Sequence, residues 1–409
     1  MKTPNITRRS IRHWLASGLA SIALVSGLAG CASIPRVQAE DRLFLNLSLE
    51  YLDRVDLDVR EIDGVAFGGI SAIASDRRDA AGRYLVLSDD RGQNAPARFY
   101  DLTIDIDRAA GKIDDVTIGA ATSLRGPDGE TYPDGTIDPE GIAITPDDTL
   151  MVSSEGDSEL GIAPFVAEFD RDGRHIRELP LYDYFIPDTL EERDDKPAGE
   201  QTLGVQNNAG FEALTIGGRG SAGEPYRIFA VTESPLIQDL PDLDAPVEVG
   251  AEPPIAHSRL VHYSRIGRDR SQIVAEHLYP LDPPPAGAVN TGITELLALD
   301  RLGYFISLER SYSPLSGLSA KLFQVNLGGA TDTATLATLA GDLGGIEPAR
   351  KRLLLDFSDL NEPVDNLEGL AFGPRLPDGS QTLLVVSDDN FSDRQVTQIW
   401  LFRFIDDSP

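Results

Sequence analysis

One short unit recurs five times along the chain, and it restricts the fold more than any other feature. Glu140-Gly-Ile-Ala-Ile, Glu212-Ala-Leu-Thr-Ile, Glu295-Leu-Leu-Ala-Leu and Glu368-Gly-Leu-Ala-Phe each set an acid before an apolar, strand-like run. Ser71-Ala-Ile-Ala-Ser is a degenerate fifth copy, and successive copies start 69, 72, 83 and 73 residues apart. After each copy comes a second apolar run (85–89, 150–155, 228–233, 304–309 and 383–388), ending in Asp89, Glu155, Glu233, Glu309 or Asp388. A third, alternating strand follows every time, at 97–104, 164–169, 259–264, 321–326 and 398–404. Most copies add a polar-faced fourth, as at 175–180 and 272–277.

Four antiparallel strands per repeat, at spacings of tens of residues, predict an all-β chain folded as a β-propeller. Five blades are expected, with room for a sixth between residues 212 and 295 or around Arg352 to Phe357. The last copy stops after its third strand, while residues 48–55 are strand-like with no blade of their own. That segment is expected to supply the missing outer strand and close the ring, which removes the open sheet edges. A pair of β-sandwiches would not demand five matched units.

In a propeller the first strand of a blade lines the channel and the second runs back beside it. The start of one and the end of the other therefore meet at one mouth. Glu140, Glu212, Glu295 and Glu368 open first strands, and Asp89, Glu155, Glu233, Glu309 and Asp388 end second strands. These nine carboxylates are the candidate metal ligands, and the four glutamates together with Arg310 are the candidate catalytic groups. Crowded carboxylates repel, which raises their proton affinity or recruits a cation. A set of hard oxygen donors suits Ca2+ better than zinc. The competing reading is that each Glu caps a turn by accepting backbone N–H bonds. Arg91, Arg310 and Arg394 follow acids at this same end. Arg310 can clamp a phosphate or pair with a neighbouring carboxylate.

The N-terminus carries separate information. Arg8, Arg9 and Arg12 precede an apolar run, 14–28, that is short for a membrane span, and the run ends in Leu-Ala-Gly-Cys31. This resembles the lipobox of bacterial lipoproteins, in which the cysteine is acylated after cleavage. An ordinary secretory signal with an incidental cysteine is the alternative. Residues 1–30 are thus expected to be a signal peptide, 31–45 a tether and 46–409 the propeller. The expected protein is exported and held on a bacterial membrane by lipid on Cys31, the only cysteine in the chain. The chain has 66 acidic against 36 basic residues, a net charge of −30. Such a surface repels nucleic acid, which is excluded as a partner.

The ordered strings DPEGIAI, GFEALTI, TESP, LERSYS, NLEGLAF and VVSDDNFS resemble the bacterial esterase-like phytase family, and the resemblance runs from about residue 60 to the C-terminus. The resemblance implies a secreted or lipid-anchored propeller with phosphoesterase or esterase activity on a small phosphoester or other ester. The calcium-dependent propeller phytases, which use an acidic mouth with several Ca2+ ions, are similar in architecture only. Serine-esterase chemistry finds no support, because the chain has no G-x-S-x-G elbow. His175, His257, His262 and His277 stand outside the repeated motifs. Two functions remain from the sequence: a metal-assisted phosphoesterase, or a noncatalytic propeller that binds a ligand or partner with structural calcium.

Overall fold

The structure, a computed structural model, describes residues 43–408 apart from 77–81, 189–191, 193–200, 219, 241–254, 268–269 and 342. The signal segment, Cys31 and most of the tether lie outside the described residues. Residues Phe44–Pro409 form one compact unit.

The strands are β1 (Leu47–Leu57), β2 (Glu61–Ile62), β3 (Val65–Ala66), β4 (Ile70–Ser75), β5 (Arg83–Ser88), β6 (Arg98–Asp107), β7 (Lys112–Ser123), β8 (Pro139–Ile144), β9 (Leu150–Ser154), β10 (Phe165–Phe169) and β11 (His175–Glu178). They continue as β12 (Phe211–Gly217), β13 (Tyr226–Thr232), β14 (His257–Ile266), β15 (Arg270–Pro280), β16 (Asn290–Ala298), β17 (Tyr304–Ser313), β18 (Gly317–Asn326), β19 (Arg350–Asp356), β20 (Asn366–Phe372), β21 (Gln381–Asp388) and β22 (Thr397–Asp406). Four blades are sequential meanders: β4 to β7, β8 to β11, β12 to β15 and β16 to β19. The fifth has the order β20-β21-β22-β1, so the N-terminal strand closes the ring on the C-terminal one. The inner strands β4, β8, β12, β16 and β20 neighbour one another in turn, and β20 returns to β4. The long 212–295 interval is filled by the extended hairpin β14-β15, and residues 350–356 are the outer strand of the fourth blade. Neither region holds a sixth blade among the described residues.

Period-two alternation explains the packing. A central strand of a blade faces a neighbouring blade on both sides, so both of its faces are buried; β21 has a Leu-Leu-Val-Val centre, and all but its first residue are buried. Five apolar clusters fill the five blade interfaces. Leu308, Leu322, Leu383, Trp400 and Phe402 join blades four and five, for example, and Phe211, Ile228, Met151 and Val166 join blades two and three. The closing strand adds Tyr51, whose ring lies 5.7 Å from Trp400 and 5.8 Å from Phe402. Arg54 covers the Trp400 ring at 5.2 Å.

Every inner strand breaks register near its start. The irregularities lie between Ile70/Ala72, Pro139/Ile142, Phe211/Ala213, Ile293/Glu295 and Leu367/Gly369. A bulge sets an extra residue against the partner strand and re-aims its side chain. The extra residues are Ser71, Glu140, Glu212, Thr294 and Glu368.

Candidate metal centre at the acidic mouth

The five bulges set which side chains reach the mouth. Glu140, Glu212 and Glu368 sit at equivalent bulge positions and line a cavity of about 920 Å³. Ser71 and Thr294 hold the same position in the other two blades. Each donates its hydroxyl to the next blade's backbone, Ser71 to Glu140 O at 3.0 Å and Thr294 to Leu367 O at 3.3 Å. The mouth-side end of each second strand forms another ring: Asp89, Glu155, Glu233, Arg310 and Asp388.

Blade four therefore departs from the repeat by one residue at both strands. Ile293 pairs with Glu309, as Leu367 pairs with Ser387, so Glu309 occupies a Ser/Thr position and Arg310 an acid's position. A one-residue offset in a strand turns a side chain to the opposite face. Glu309 is accordingly not at the mouth. Its carboxylate accepts from Tyr279 Oη at 2.5 Å and from Asp282 N at 2.8 Å, and it pairs with Lys351. Glu295 is displaced in the same way. It lies in the wall of a larger cavity, about 1260 Å³, together with Ile73, Ile142, Leu214 and Leu370. Its carboxylate accepts the backbone N–H groups of Leu214 (3.3 Å) and Leu296 (2.8 Å), which is the capping arrangement weighed for each Glu. Seven of the nine expected carboxylates gather at the mouth; Glu295 and Glu309 do not.

Two groups that the repeat did not single out join them. Asp138 immediately precedes β8 and Asn366 opens β20, at the position held by Gly69, Gly210 and Gly292 in the other blades. Two of those glycines leave room for acid side chains: a Cβ at Gly292 would lie 2.3 Å from Glu233 Cγ, and one at Gly69, 2.1 Å from Asp89 Oδ1. Asp138 and Asn366 were legible only as the letters that flank the motif.

Electrostatics sets the chemistry of the mouth. Asp138, Glu140, Glu155, Glu212, Glu233, Glu368 and Asp388 are all buried. Burial comes first in raising the proton affinity of Glu140, Glu155, Glu212 and Glu368 well above the carboxylate range, and neighbouring acids add to it. Asp89 is raised in the same way by burial and then by Asp388 and Asp138. Asp388 is pushed up to about 6 by burial, against the opposing hydrogen bond from Asn390 N. Two arginines oppose the charge. Arg91 pairs with Asp138, lies 3.5 Å from Asp157 and donates to Asn208 Oδ1 at 2.6 Å. Arg310 lies 3.2 Å from Glu233 and 3.4 Å from Glu368. Arg394 also lines the cavity.

The donor set fits a hard cation. Among the described residues the clustered ligand atoms are carboxylate oxygens, with no histidine or cysteine among them. Glu155 Oε1 is buried without a hydrogen-bond partner, a state that a cation would relieve.

No curated protein sequence matches the chain. Among solved structures, an oxidoreductase (glucose dehydrogenase) from Thermus thermophilus aligns over 89% of this chain and 98% of its own, with 12% identity and a TM-score of 0.35. An α-L-arabinanase of Penicillium chrysogenum, complexed with arabinobiose, covers 82% of this chain and 93% of its own at 9% identity and a TM-score of 0.38. The catalytic domain of a Coprinopsis cinerea α-L-arabinofuranosidase covers 87% and 97% at 9% identity and a TM-score of 0.36. The five bulges and the carboxylates of the mouth fall within residues 65–391, the span matched by the phytase-like family described as "esterase-like activity of phytase", and the chain belongs to that family.

Proposed function

We propose that the protein is a metal-assisted hydrolase of phosphoesters, with Ca2+ held by the mouth carboxylates. The observation that carries this reading is the gathering of eight carboxylates with Arg91, Arg310 and Arg394 at one mouth, with a buried carboxylate oxygen left unpaired. Glu140, Glu212, Glu368, Asp138 and Glu155 would hold the cation, with Asp89, Glu233 and Asp388 around them. When bound, Ca2+ supplies charge stabilisation at a phosphoryl oxygen and lowers the pKa of water.

The chain's own residues supply the rest. Arg310 and Arg91 are paired with carboxylates that a cation would also engage, so their N–H donors become available to phosphoryl oxygens as those carboxylates turn to the metal. Asp388, held by the Asn366 amide at 3.2 Å, would take the proton of an attacking water. None of the described histidines lines the mouth cavity, so a phosphohistidine intermediate has no candidate there. His262, for instance, stacks on Phe229 with its ring centroid at 4.4 Å, and burial lowers its pKa to about 4.

The test is hydrolysis of a panel of small phosphoesters by the purified protein, with Ca2+ or with EDTA, beside carboxylic esters of the same leaving group. Calcium-dependent turnover of the phosphoesters that is lost in Glu212→Gln and Glu368→Gln supports the reading. Calcium binding without turnover of any substrate would leave the noncatalytic, ligand-binding propeller. One feature favours that second reading: the net charge of −30 opposes the approach of polyanions unless cations invert the local field. Export and attachment to a bacterial membrane through lipid on Cys31 belong to the same proposal and rest on the Leu-Ala-Gly-Cys sequence.

A further inference from the structure

The mouth cavity differs from one side to the other. Among the described residues, blades one to three line it with charged and amide side chains only, such as Arg91, Gln93, Asn94 and Asn208. Its apolar and aromatic side chains, Tyr312, Leu318, Val364 and Phe391, all come from blade four, blade five and the link between them. We infer that this wall seats an aromatic or other apolar group of the ligand while the ligand's anionic group lies over the acids. The inference rests on the cation-assisted reading above and adds which esters the mouth takes: those of an apolar organic group, in preference to multiply charged polyols.

Blade four builds its part of the wall by carrying its second and third strands past the mouth. β17 and β18 pair without a break from Tyr304 and Asn326 to Ser313 and Gly317, so the hairpin ends as a two-stranded ribbon. In the other blades the second strand ends at residue 88, 154, 232 or 388, at the mouth itself. Side chains two apart share a face of a strand, so Arg310 and Tyr312 point the same way, and Leu318 stands opposite Tyr312 in the register. All three line the cavity. Tyr312 lies two residues further out than Arg310, about 7 Å along the strand. A ligand whose anionic group meets Arg310 therefore meets apolar surface at about the reach of one aromatic ring.

Blade five supplies a second aromatic surface. Asn390 and Phe391 have φ of 47° and 49°, a conformation that bulky side chains rarely adopt. Asp389 Oδ1 holds the bend by accepting the N–H groups of Phe391 (3.1 Å) and Gly69 (3.0 Å). The Phe391 ring is thereby laid over Gly69, where a Cβ would come within 2.5 Å of it, and the Arg98 guanidinium lies 5.8 Å from its centroid. Core packing does not account for these side chains. Tyr312, Leu318 and Phe391 belong to none of the five apolar clusters, and Tyr312 is 43% exposed.

The two sides of the mouth select by opposite means. A ligand charged on every side gives up hydration against the apolar wall and finds no partner there in return. A phenyl or short alkyl group is itself removed from water by the same contact, and an aromatic ring gains further from the faces and edges of Tyr312 and Phe391. Aryl and apolar alkyl monoesters are therefore the expected substrates, with Tyr312, Leu318 and Phe391 as the residues that set the preference.

The experiment measures binding to the full-length protein in Ca2+, so its result does not depend on turnover. Phenylphosphonate is titrated against methylphosphonate, and benzoate against acetate, by calorimetry. Within each pair the anionic group is the same, and the phenyl member is expected to bind at least about tenfold more tightly. Tyr312→Ser should remove most of that ratio while leaving the affinity for the methyl member as in wild type, and Tyr312→Phe should keep the ratio. Equal affinity for the phenyl and methyl members overturns the apolar wall and leaves the cation-assisted reading standing. A ratio that survives in both Tyr312→Ser and Leu318→Ser also overturns it, because the preference then arises elsewhere. A phenyl preference that depends on Tyr312, without turnover of any aryl ester, supports the wall and removes the hydrolase reading. Binding of none of the four probes overturns both.

Discussion

Arg310 lies 3.4 Å from Glu368 and stands at the register position that Asp388 fills in the next blade. One arginine thus replaces one acid in an otherwise acidic ring, and it serves carboxylates on both sides of its own blade, Glu233 and Glu368. Breaking a buried ion pair by removing one partner typically costs about 3–5 kcal/mol, because the other charge stays behind. Arg310→Met should therefore lower the melting temperature strongly in EDTA. Saturating Ca2+ should recover much of the loss, since a cation can take over the charge. Equal destabilisation with and without Ca2+ would show that the arginine and the ion do not share those carboxylates.

Glu309 is the acid that blade four turned away from the mouth, and it should behave as a structural group. Lys351 contacts it and lies over the Phe323 ring at 4.2 Å, and burial lowers the lysine's proton affinity. Glu309→Gln should destabilise the fold by about 3 kcal/mol while leaving the number of bound calcium ions and the KM of any substrate as in wild type. Calorimetric calcium titration of the variant at a temperature where it stays folded checks this. A lost ion would return Glu309 to the mouth.

The repeat disclosed the blades, the closing strand and the end at which the acids converge, because each follows from the order of strands. The register of blade four was hidden. Thr294-Glu295-Leu-Leu-Ala fits an acid followed by alternating apolar residues as well as Glu212-Ala-Leu-Thr-Ile does. Only the pairing of Ile293 with Glu309 shows that the bulge falls on Thr294. Asp138 and Asn366 were hidden for another reason. Their position is glycine in three blades, where an acid side chain (at Gly69 and Gly292) or the Glu155 backbone (at Gly210) occupies the space, so comparison of the copies marks it as a turn.

The closing strand makes a separate prediction. β1 pairs with β22 along its length and carries Leu47, Leu49 and Tyr51 into the core beneath Trp400. Deleting residues up to 60 removes these apolar contacts, each worth about 1.5–3 kcal/mol when fully buried, and exposes β22 as an unpaired edge. A lower, broader melting transition and concentration-dependent aggregation are expected by calorimetry and light scattering. An unchanged melting curve would mean that the ring holds without its outer strand.

Processing at Cys31 can be tested without reference to the propeller. Acylation requires the thiol, so Cys31→Ser should accumulate as a precursor or leave the membrane fraction. Labelling with a radioactive fatty acid should mark the wild-type chain and not the variant. Normal, membrane-bound, mature protein from Cys31→Ser would end the lipoprotein reading and favour an ordinary secretory signal.

The mouth also dictates how stability should depend on pH. Asp388 has its folded pKa raised from 3.8 to about 6, and Glu140, Glu155, Glu212 and Glu368 are raised well above the usual range. A carboxyl group raised on folding binds its proton more tightly in the native state. Its stabilising effect is complete below the unfolded pKa and is lost as pH climbs through the folded one. For Asp388 alone that loss is about 3 kcal/mol. EDTA-treated protein should therefore become less stable from about pH 4 upward, through pH 6 and beyond as the glutamates ionise. Calcium binds the ionised form, so saturating Ca2+ should flatten the slope or reverse it. Chemical denaturation at a series of pH values, with EDTA and with Ca2+, measures both curves. Parallel curves would mean that the mouth carboxylates do not bind the ion. A stability that rises with pH in EDTA would mean that they are already charged and compensated in the ion-free protein.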